Sequence, residues 1–558
     1  MKWLLKYPYA ALLLIGAVLF LPYLGGVPLF DWDEINFAES AREMLVTGNY
    51  SRVMIDFQPF WEKPPLFFWL QAIAMHLFGV GEFAARLPNA LTGIATLLII
   101  FQLGSRYFDP TFAWWWVLIY IGSFLPHFYF KSGIIDPVFN LFVFLTVIQL
   151  FHLSNHQGRG IMHSALGGLM LGLAILTKGP VALLIVGLCW AIFAILRRKL
   201  FFIPVPFLFI ALFVAFLSSF VWYGLELIHN GPWFFREFIA YHIRLFTTGD
   251  SGHGQPFYYH FLVLFIGCFP ASLLLFFARK KEGFTEEQVA LRLWMLLLLL
   301  VVLIVFSIAK TKIVHYSSLC YLPLTFLAAL GIRNYGQQPA KWLYRLTVTI
   351  LIVLGLVVMA LPIIMHYQSL WLDHVHSVYL QAILTMPVHW PLALGFIGFA
   401  YLIAIIMVWL QFYRAKTNPA WVGVFVANLF LVQAVLYAFL PKIEPYSQGP
   451  AIEFYKSLQG KDVYVNALGQ KSYAQLFYSQ KPQSAIESPL LKAYVAQRRK
   501  EGSEAPFIIL EKDWHLYGTI DKTVFFCCKA DKTGYYATLP QLKEIGRKGG
   551  FVFYKREP

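Results

Sequence analysis

The stretch DWDEINFAESAREM sets Asp31, Asp33, Glu34 and Glu39 directly after an apolar run, and FWEKPPLFFW then places Glu62 and Lys63 among aromatics. Ionisable groups beside membrane-like segments are costly to keep, so they are functional candidates. More follow downstream: Lys131 and Asp136, Lys178 in TKGP, then His242, Arg244, Asp250, His253 and His260 in YHIRLFTTGDSGHGQPFYYH. Lys310, Lys312, His315 and Tyr316 stand in AKTKIVHYSS. A carboxylate at such a place can take a proton from an acceptor hydroxyl. Lysine and arginine at interfacial depth suit a lipid phosphate. A Glu with a His can hold a divalent cation against a phosphate leaving group. The set describes sugar transfer from a lipid phosphate, and no nucleotide-binding loop is visible.

The elements that position these residues are membrane spans. Hydrophobic residues make up 59% of 558, charged residues 13%, and the mean hydropathy is +0.63. That excludes a soluble globular chain and indicates a polytopic α-helical membrane protein. The net charge of +15 is explained by basic cytoplasmic loops rather than by nucleic acid. Stretches of ~20 apolar residues predict about thirteen spans: 8–27, 84–104, 112–129, 134–153, 162–177, 180–196, 203–226, 258–277, 290–309, 314–332, 342–363, 389–412 and 419–440. Tyr7–Tyr23 lacks a small-residue cleavage site and reads as the first span. Pro64–Gly79 is too short to cross and reads as an interfacial helix in the first outer loop.

With the N-terminus cytoplasmic, Arg106, Arg159, Arg197-Arg198-Lys199, Arg279-Lys280-Lys281, Arg333 with Lys341 and Arg345, and Arg414 with Lys416 all fall inside. The acids, lysines and histidines above then converge from five loops on one outer-face cavity. Residues 1–440 form the membrane domain. Residues 441–558 form a small soluble α/β or α+β domain on the outer, periplasmic face of a bacterial inner membrane. DVYVNAL, APFIILE, TVFFCC and GFVFYK read as strands there; SYAQLFYSQ and LPQLKEIGRK read as helices. The five cysteines have neither disulfide nor zinc spacing.

The pieces DE-INFAESAREM, FWEKPPLFFWLQAIAMHLFGVGEFAARLP, KSGIIDP, LTKGP, HIRLF…H…PFYY and SIAKTK…YLP resemble the GT-C class of membrane glycosyltransferases that use polyprenyl-phosphate sugars. These are the bacterial relatives of protein O-mannosyltransferases, and the pieces look most like the lipid A aminoarabinose transferases. The order and spacing agree over roughly the first 330 residues. The resemblance implies a GT-C fold with thirteen spans and a periplasmic C-terminal domain. It implies a polyprenyl-phosphate-sugar donor and an acceptor that is lipid A, another glycolipid or a protein. Residue by residue, Asp33 would be the general base, Glu34, also on the catalytic side, would support it or orient the acceptor, and Asp136 would line the same cavity. Lys63, Lys178, Arg244, Lys310, Lys312 and Tyr316 would bind the lipid phosphate. Glu62 and His253, with His242 as the alternative histidine, would hold a divalent metal (Zn, Mg or Mn). The chain departs from that branch at Asn36, usually Arg, and at Phe60, usually Tyr.

Blander roles compete. Asp33 and Glu34 can complement a helix dipole, and Asp136 before Pro137 can cap a helix. Lys63, Lys310 and Lys312 can snorkel to headgroups, and Arg42 can pair with Glu39 on its own helix. His260, His315 and His366 read as structural. Two other functions compete as well: a flippase for a polyprenyl-linked lipid, and a scaffold acting through its outer domain. A transporter predicts repeated halves and charge near the midplane, and the sequence offers neither.

Overall fold

A computed structural model describes residues 6–30, 32–155, 159–198, 203–249, 252–278, 283–335 and 341–558. Asp31, Lys199, Asp250, Arg279, Lys280 and Lys281 lie outside the described residues.

Every stretch expected to span carries helix. Among the described residues, nine helices are long and apolar enough to cross a bilayer. A tenth candidate, Tyr259–Gly267 with Ala271–Phe277, bends by 104°. The expected straight span 258–277 is therefore broken; Pro270 sits at the break, where it supplies no N–H. Pro8–Phe20, Pro110–Ile121 and Val181–Leu196 are shorter apolar helices. The first expected span, 8–27, stops at Phe20; thirteen residues rise only about 20 Å. The predicted interfacial segment is the helix Leu66–Phe78, with Pro65 at its N-cap and Ile73, Leu77 and Phe78 exposed.

Proline and small residues place these helices. Asp109 caps Pro110–Ile121 by accepting from the Phe112 N–H at 2.8 Å. Gly168 and Gly172 let Gly160–Lys178 lie against Val205–Asn230; a Cβ at Gly168 would sit 2.3 Å from the Ala211 carbonyl. Such small-residue seams hold membrane helices closely together. Three helices have a site residue near one end and an arginine near the other. They are Glu82–Tyr107 with Arg86 and Arg106, Gly160–Lys178 with Lys178 and Arg159 just before it, and Val314–Asn334 with His315 and Arg333. The basic residues thus lie across the bundle from the polar cluster.

The C-terminal segment holds a four-stranded sheet. Its order is Tyr464–Leu468, Val524–Lys529, Phe551–Arg556, Lys543–Lys548, with the first pair parallel and the rest antiparallel. The inner strand VFFCCK is apolar up to its last residue, Lys529, because both faces are covered. Cys527 enters the large core shared with the membrane helices, while its neighbour Cys528 enters the domain's own core with Trp514 and Val552. Alternation along the strand thus points the two thiols to opposite faces, and all five cysteines are free.

Two expectations here are corrected. FIILE belongs to the helix Phe507–Tyr517, whose buried Leu510, Glu511, Trp514 and His515 recur at helical spacing over a longer window. KEIGRK is an edge strand, joined to FVFYKR by the two-residue turn Gly549-Gly550 with φ +54° at Gly549.

Candidate active site

The helix Asp33–Thr47 starts at the first acid of the DE pair. Trp32, just before it, has φ +77°, a backbone state that non-glycine residues hold only where their surroundings impose it. The imposing residue is Glu34. Its carboxylate accepts from the Phe30 N–H at 2.8 Å, from the Gly133 N–H, and from Arg86 through Nε at 3.1 Å and Nη2 at 2.8 Å. Arg86 gives its remaining N–H groups to the carbonyls of Leu24, Val27 and Pro28 at 2.7, 2.8 and 2.9 Å. All five guanidinium donors are used. Of the two expected roles for Glu34, supporting Asp33 agrees with this geometry and orienting the acceptor does not. Its oxygens are occupied by four donors, so it braces the turn that presents Asp33.

Asp33 keeps about a third of its side chain (34%) open to a cavity of about 470 Å³. Its Oδ2 lies 3.0 Å from Nε2 of His315. The same nitrogen is 3.8 Å from Oδ2 of Asp136, whose Oδ1 accepts from Lys178 Nζ at 2.5 Å. Asp136 makes no capping bond at the start of its helix; its charge is directed at Lys178 instead. Burial alone would raise the Asp33 carboxyl. The hydrogen bond and charge of His315, with Lys63 and Lys178, hold it below the usual carboxylate range. Burial, reinforced by Lys178, holds Lys63 below its ordinary value against the pull of Glu62, Asp33 and Asp136.

Lys178 is the last residue of its helix, over the Tyr316 ring at 4.8 Å. Gly179 follows with φ +86°, where a Cβ would meet Phe238 at 2.4 Å. The TKGP turn thus fixes where the ammonium sits. Lys63 and Arg244 both lie over Tyr241, at 5.1 and 5.4 Å.

Asp33, Glu34, Glu62, Lys63, Asp136, Lys178, Arg244, His253 and Tyr316 all line this cavity. Lys310 and Lys312 do not, which corrects their expected place beside the phosphate. They act through the backbone: their N–H groups donate to the carbonyls of Phe246 (3.1 Å) and His253 (2.9 Å), stitching the long loop to this turn. Lys131 donates to the carbonyls of Leu19 and Pro22. Arg42 pairs with Glu39, as the local reading had it.

His242 faces a neighbouring apolar groove and burial pushes it down to about 4, so of the two alternative histidines His253 is the one on the cavity wall. Among the described residues no third His, Cys, Asp or Glu joins Glu62 and His253 in a metal-holding group. Catalytic zinc keeps three protein ligands. Glu62 and His253 therefore do not complete a catalytic zinc site, and no step below uses a metal.

Sequence reasoning misses four contributors. His315 was read as structural, although it shares a turn with the candidate residue Tyr316. Arg86 stands in the quoted FAARLP piece without an assigned role. Lys471 and Tyr473 reach the cavity from the C-terminal domain, and nothing in the local sequence signals that.

The family described as dolichyl-phosphate-mannose-protein mannosyltransferase matches residues 62–223. An undecaprenyl phosphate-alpha-4-amino-4-deoxy-L-arabinose arabinosyl transferase of Edwardsiella ictaluri is 27% identical over 540 residues, covering 90% of this chain and 94% of the relative. A relative so described from Proteus mirabilis is 28% identical over 359 residues, 64% of each chain. The crystal structure of ArnT from Cupriavidus metallidurans bound to undecaprenyl phosphate shares the fold, with a TM-score of 0.73, 16% identity and 98% coverage of both chains. Its apo state gives 0.72, covering 98% of this chain and 97% of that one. The chain therefore has the fold of ArnT, and in sequence it resembles the GT-C polyprenyl-phosphate-sugar glycosyltransferases, with aminoarabinose transferases among its relatives.

Proposed function

We propose that the protein is a membrane glycosyltransferase that moves a monosaccharide, of the aminoarabinose kind, from a polyprenyl-phosphate donor to an acceptor oxygen. One observation carries this reading. The polar cavity and an apolar groove of about 500 Å³ share Lys63, Lys178, Leu245, Thr311 and Tyr316. The groove is walled by residues such as Val181, Leu184, Phe238, Ile243 and Phe306. A polyprenyl chain fits that wall, and its phosphate then falls at the shared lysines. Asp33, ionised, takes the proton of an acceptor hydroxyl as its oxygen bonds to the sugar C1. The C1–O bond to phosphate breaks, and polyprenyl phosphate leaves with its charge against Lys63 and Arg244. His315 holds Asp33 in place and in its charged form.

The orientation follows from charge. Arg106, Arg159 and Arg333 lie across the bundle from the cavity, and the positive-inside rule then supports a reading in which the cavity and residues 441–558 face the outside of a bacterial inner membrane. The acceptor then approaches from the outer leaflet or periplasm, as a glycolipid or a protein.

The test uses purified protein in nanodiscs with undecaprenyl phosphate carrying aminoarabinose or other sugars, and a lipid extract as acceptor. Mass spectrometry reads the released undecaprenyl phosphate. Wild type should release it, and Asp33→Asn should be slower by about 10²–10⁴-fold. Full transfer by a folded Asp33→Asn protein would sink the assignment. Movement of the lipid across the bilayer without sugar transfer would favour a flippase.

A further inference from the structure

We propose that the loop 469–473 of the C-terminal domain is the acceptor side of the cavity, and that Lys471 selects an acceptor with an anionic group near the reacting oxygen. This rests on the glycosyltransferase reading above.

Lys471 and Tyr473 are the residues beyond 440 that line the cavity among those described, and neither lines the apolar groove. They therefore lie off the wall assigned to the donor lipid. Both meet Trp32, the neighbour of Asp33. Lys471 Nζ is 4.6 Å above its ring, and Tyr473 stands edge-on at 6.3 Å. Trp32 is 37% exposed although large and apolar. An indole, a phenol and an ammonium thus ring the approach to the proposed base. Aromatic rings pack on the C–H faces of sugars, and an ammonium pairs with phosphate or carboxylate.

The other cations of the cavity have work already. Lys178 is paired with Asp136, and Lys63 and Arg244 are assigned to the donor phosphate. Lys471 is solvent-exposed, with its charge over a ring.

The loop is also firmly held. It leaves the carboxyl end of Tyr464–Leu468, a parallel strand, through Gly469 at φ +67°, where a Cβ would meet Lys532 at 2.5 Å. Loops at the carboxyl ends of parallel strands are where open α/β sheets bind ligands. Downstream, the helix Ala474–Ser479 leads to Lys481. There Tyr478 Oη accepts from the Leu29 N–H at 2.7 Å. The Lys481 ammonium donates to Asp56 and Glu511, both at 2.5 Å, and its carbonyl accepts from Arg42 at 3.0 Å. Arg42 and Asp33 belong to one helix, so the loop is registered to the base it faces.

The test measures transfer against rising concentrations of a phosphate-bearing glycolipid and of its dephosphorylated form, with Lys471→Glu and Lys471→Arg full-length proteins. Lys471 is exposed, so both should fold, which thermal unfolding checks. Lys471→Glu should raise the acceptor KM roughly 10-fold or more, with kcat and the donor KM little changed. The preference for the phosphorylated acceptor should vanish in Lys471→Glu and persist in Lys471→Arg. An unchanged acceptor KM, or an equal rise in donor KM, overturns the proposal. If wild type transfers nothing, the enzyme reading fails, and equilibrium binding of the two glycolipids decides the loop. Phosphate-dependent binding lost in Lys471→Glu supports its docking role; equal binding by both proteins overturns it.

Discussion

Nε2 of His315 lies 3.0 Å from Oδ2 of Asp33, joining the start of the helix Asp33–Thr47 to the turn before the helix Tyr321–Tyr335. The contact pins the carboxylate and helps keep it charged. In the proposed mechanism Asp33 works ionised, so transfer should fall as pH drops through its pKa, which His315 holds low. His315→Gln should therefore move the acid limb of kcat/KM to higher pH. The same depression adds stability above the unfolded value of about 3.9, lost as pH falls through the folded one. A pH–rate profile of the variant that overlays wild type would remove His315 from the mechanism.

Arg86→Lys keeps a positive charge but cannot serve Glu34 and three carbonyls together. Each lost charge-assisted hydrogen bond costs about 1.5–3 kcal/mol. The melting temperature should fall, and transfer should fall with it as the Trp32 turn relaxes. A variant with wild-type melting and activity would show that the turn stands without this brace.

Lys178→Met should leave the Asp136 carboxylate buried without its ammonium at 2.5 Å. Removing one partner of a buried pair costs about 3–5 kcal/mol. The double variant Lys178→Met, Asp136→Leu should recover much of that stability without recovering transfer. If the double variant is as unstable as the single, the pair is not what holds these two helices.

The clasp on Lys481 should respond to pH. Glu39, Glu43, Asp56 and Glu511 face Arg42 and Lys481 there, with His515 beside Glu511. Carboxylates thus outnumber the strong cations. Burial, then the Glu511 charge, pushes Asp56 up to about 8. A carboxyl raised on folding stabilises fully below its unfolded pKa of about 3.9, and that gain is lost as pH rises through the folded value. Hydrogen-exchange protection over residues 471–481, taken relative to the base-catalysed intrinsic rate, should fall between pH 6 and 9, and Asp56→Asn should flatten the change. An equal slope in wild type and variant would place the titrating group elsewhere.

The sequence by itself determined the class and most of the parts. Hydropathy runs mark the helices because a segment's burial in lipid depends on its own composition. Asp33, Lys63, Asp136, Lys178 and Tyr316 were legible because each stands in a short polar stretch beside an apolar run, and Arg244 because it stands in the long polar segment between two such runs. Boundaries and small strands were less so: KEIGRK is exposed at a sheet edge, and only its pairing with FVFYKR makes it a strand. The tertiary structure alone decided which groups meet. Glu34 became a brace because Arg86 lies beside it, His315 joined the site by reaching Asp33, and Lys310 and Lys312 were turned from the cavity. Lys471 and Tyr473 arrived from a domain folded hundreds of residues later. These are contacts between elements far apart in the chain, and their geometry is fixed by packing, which no local pattern of residues encodes.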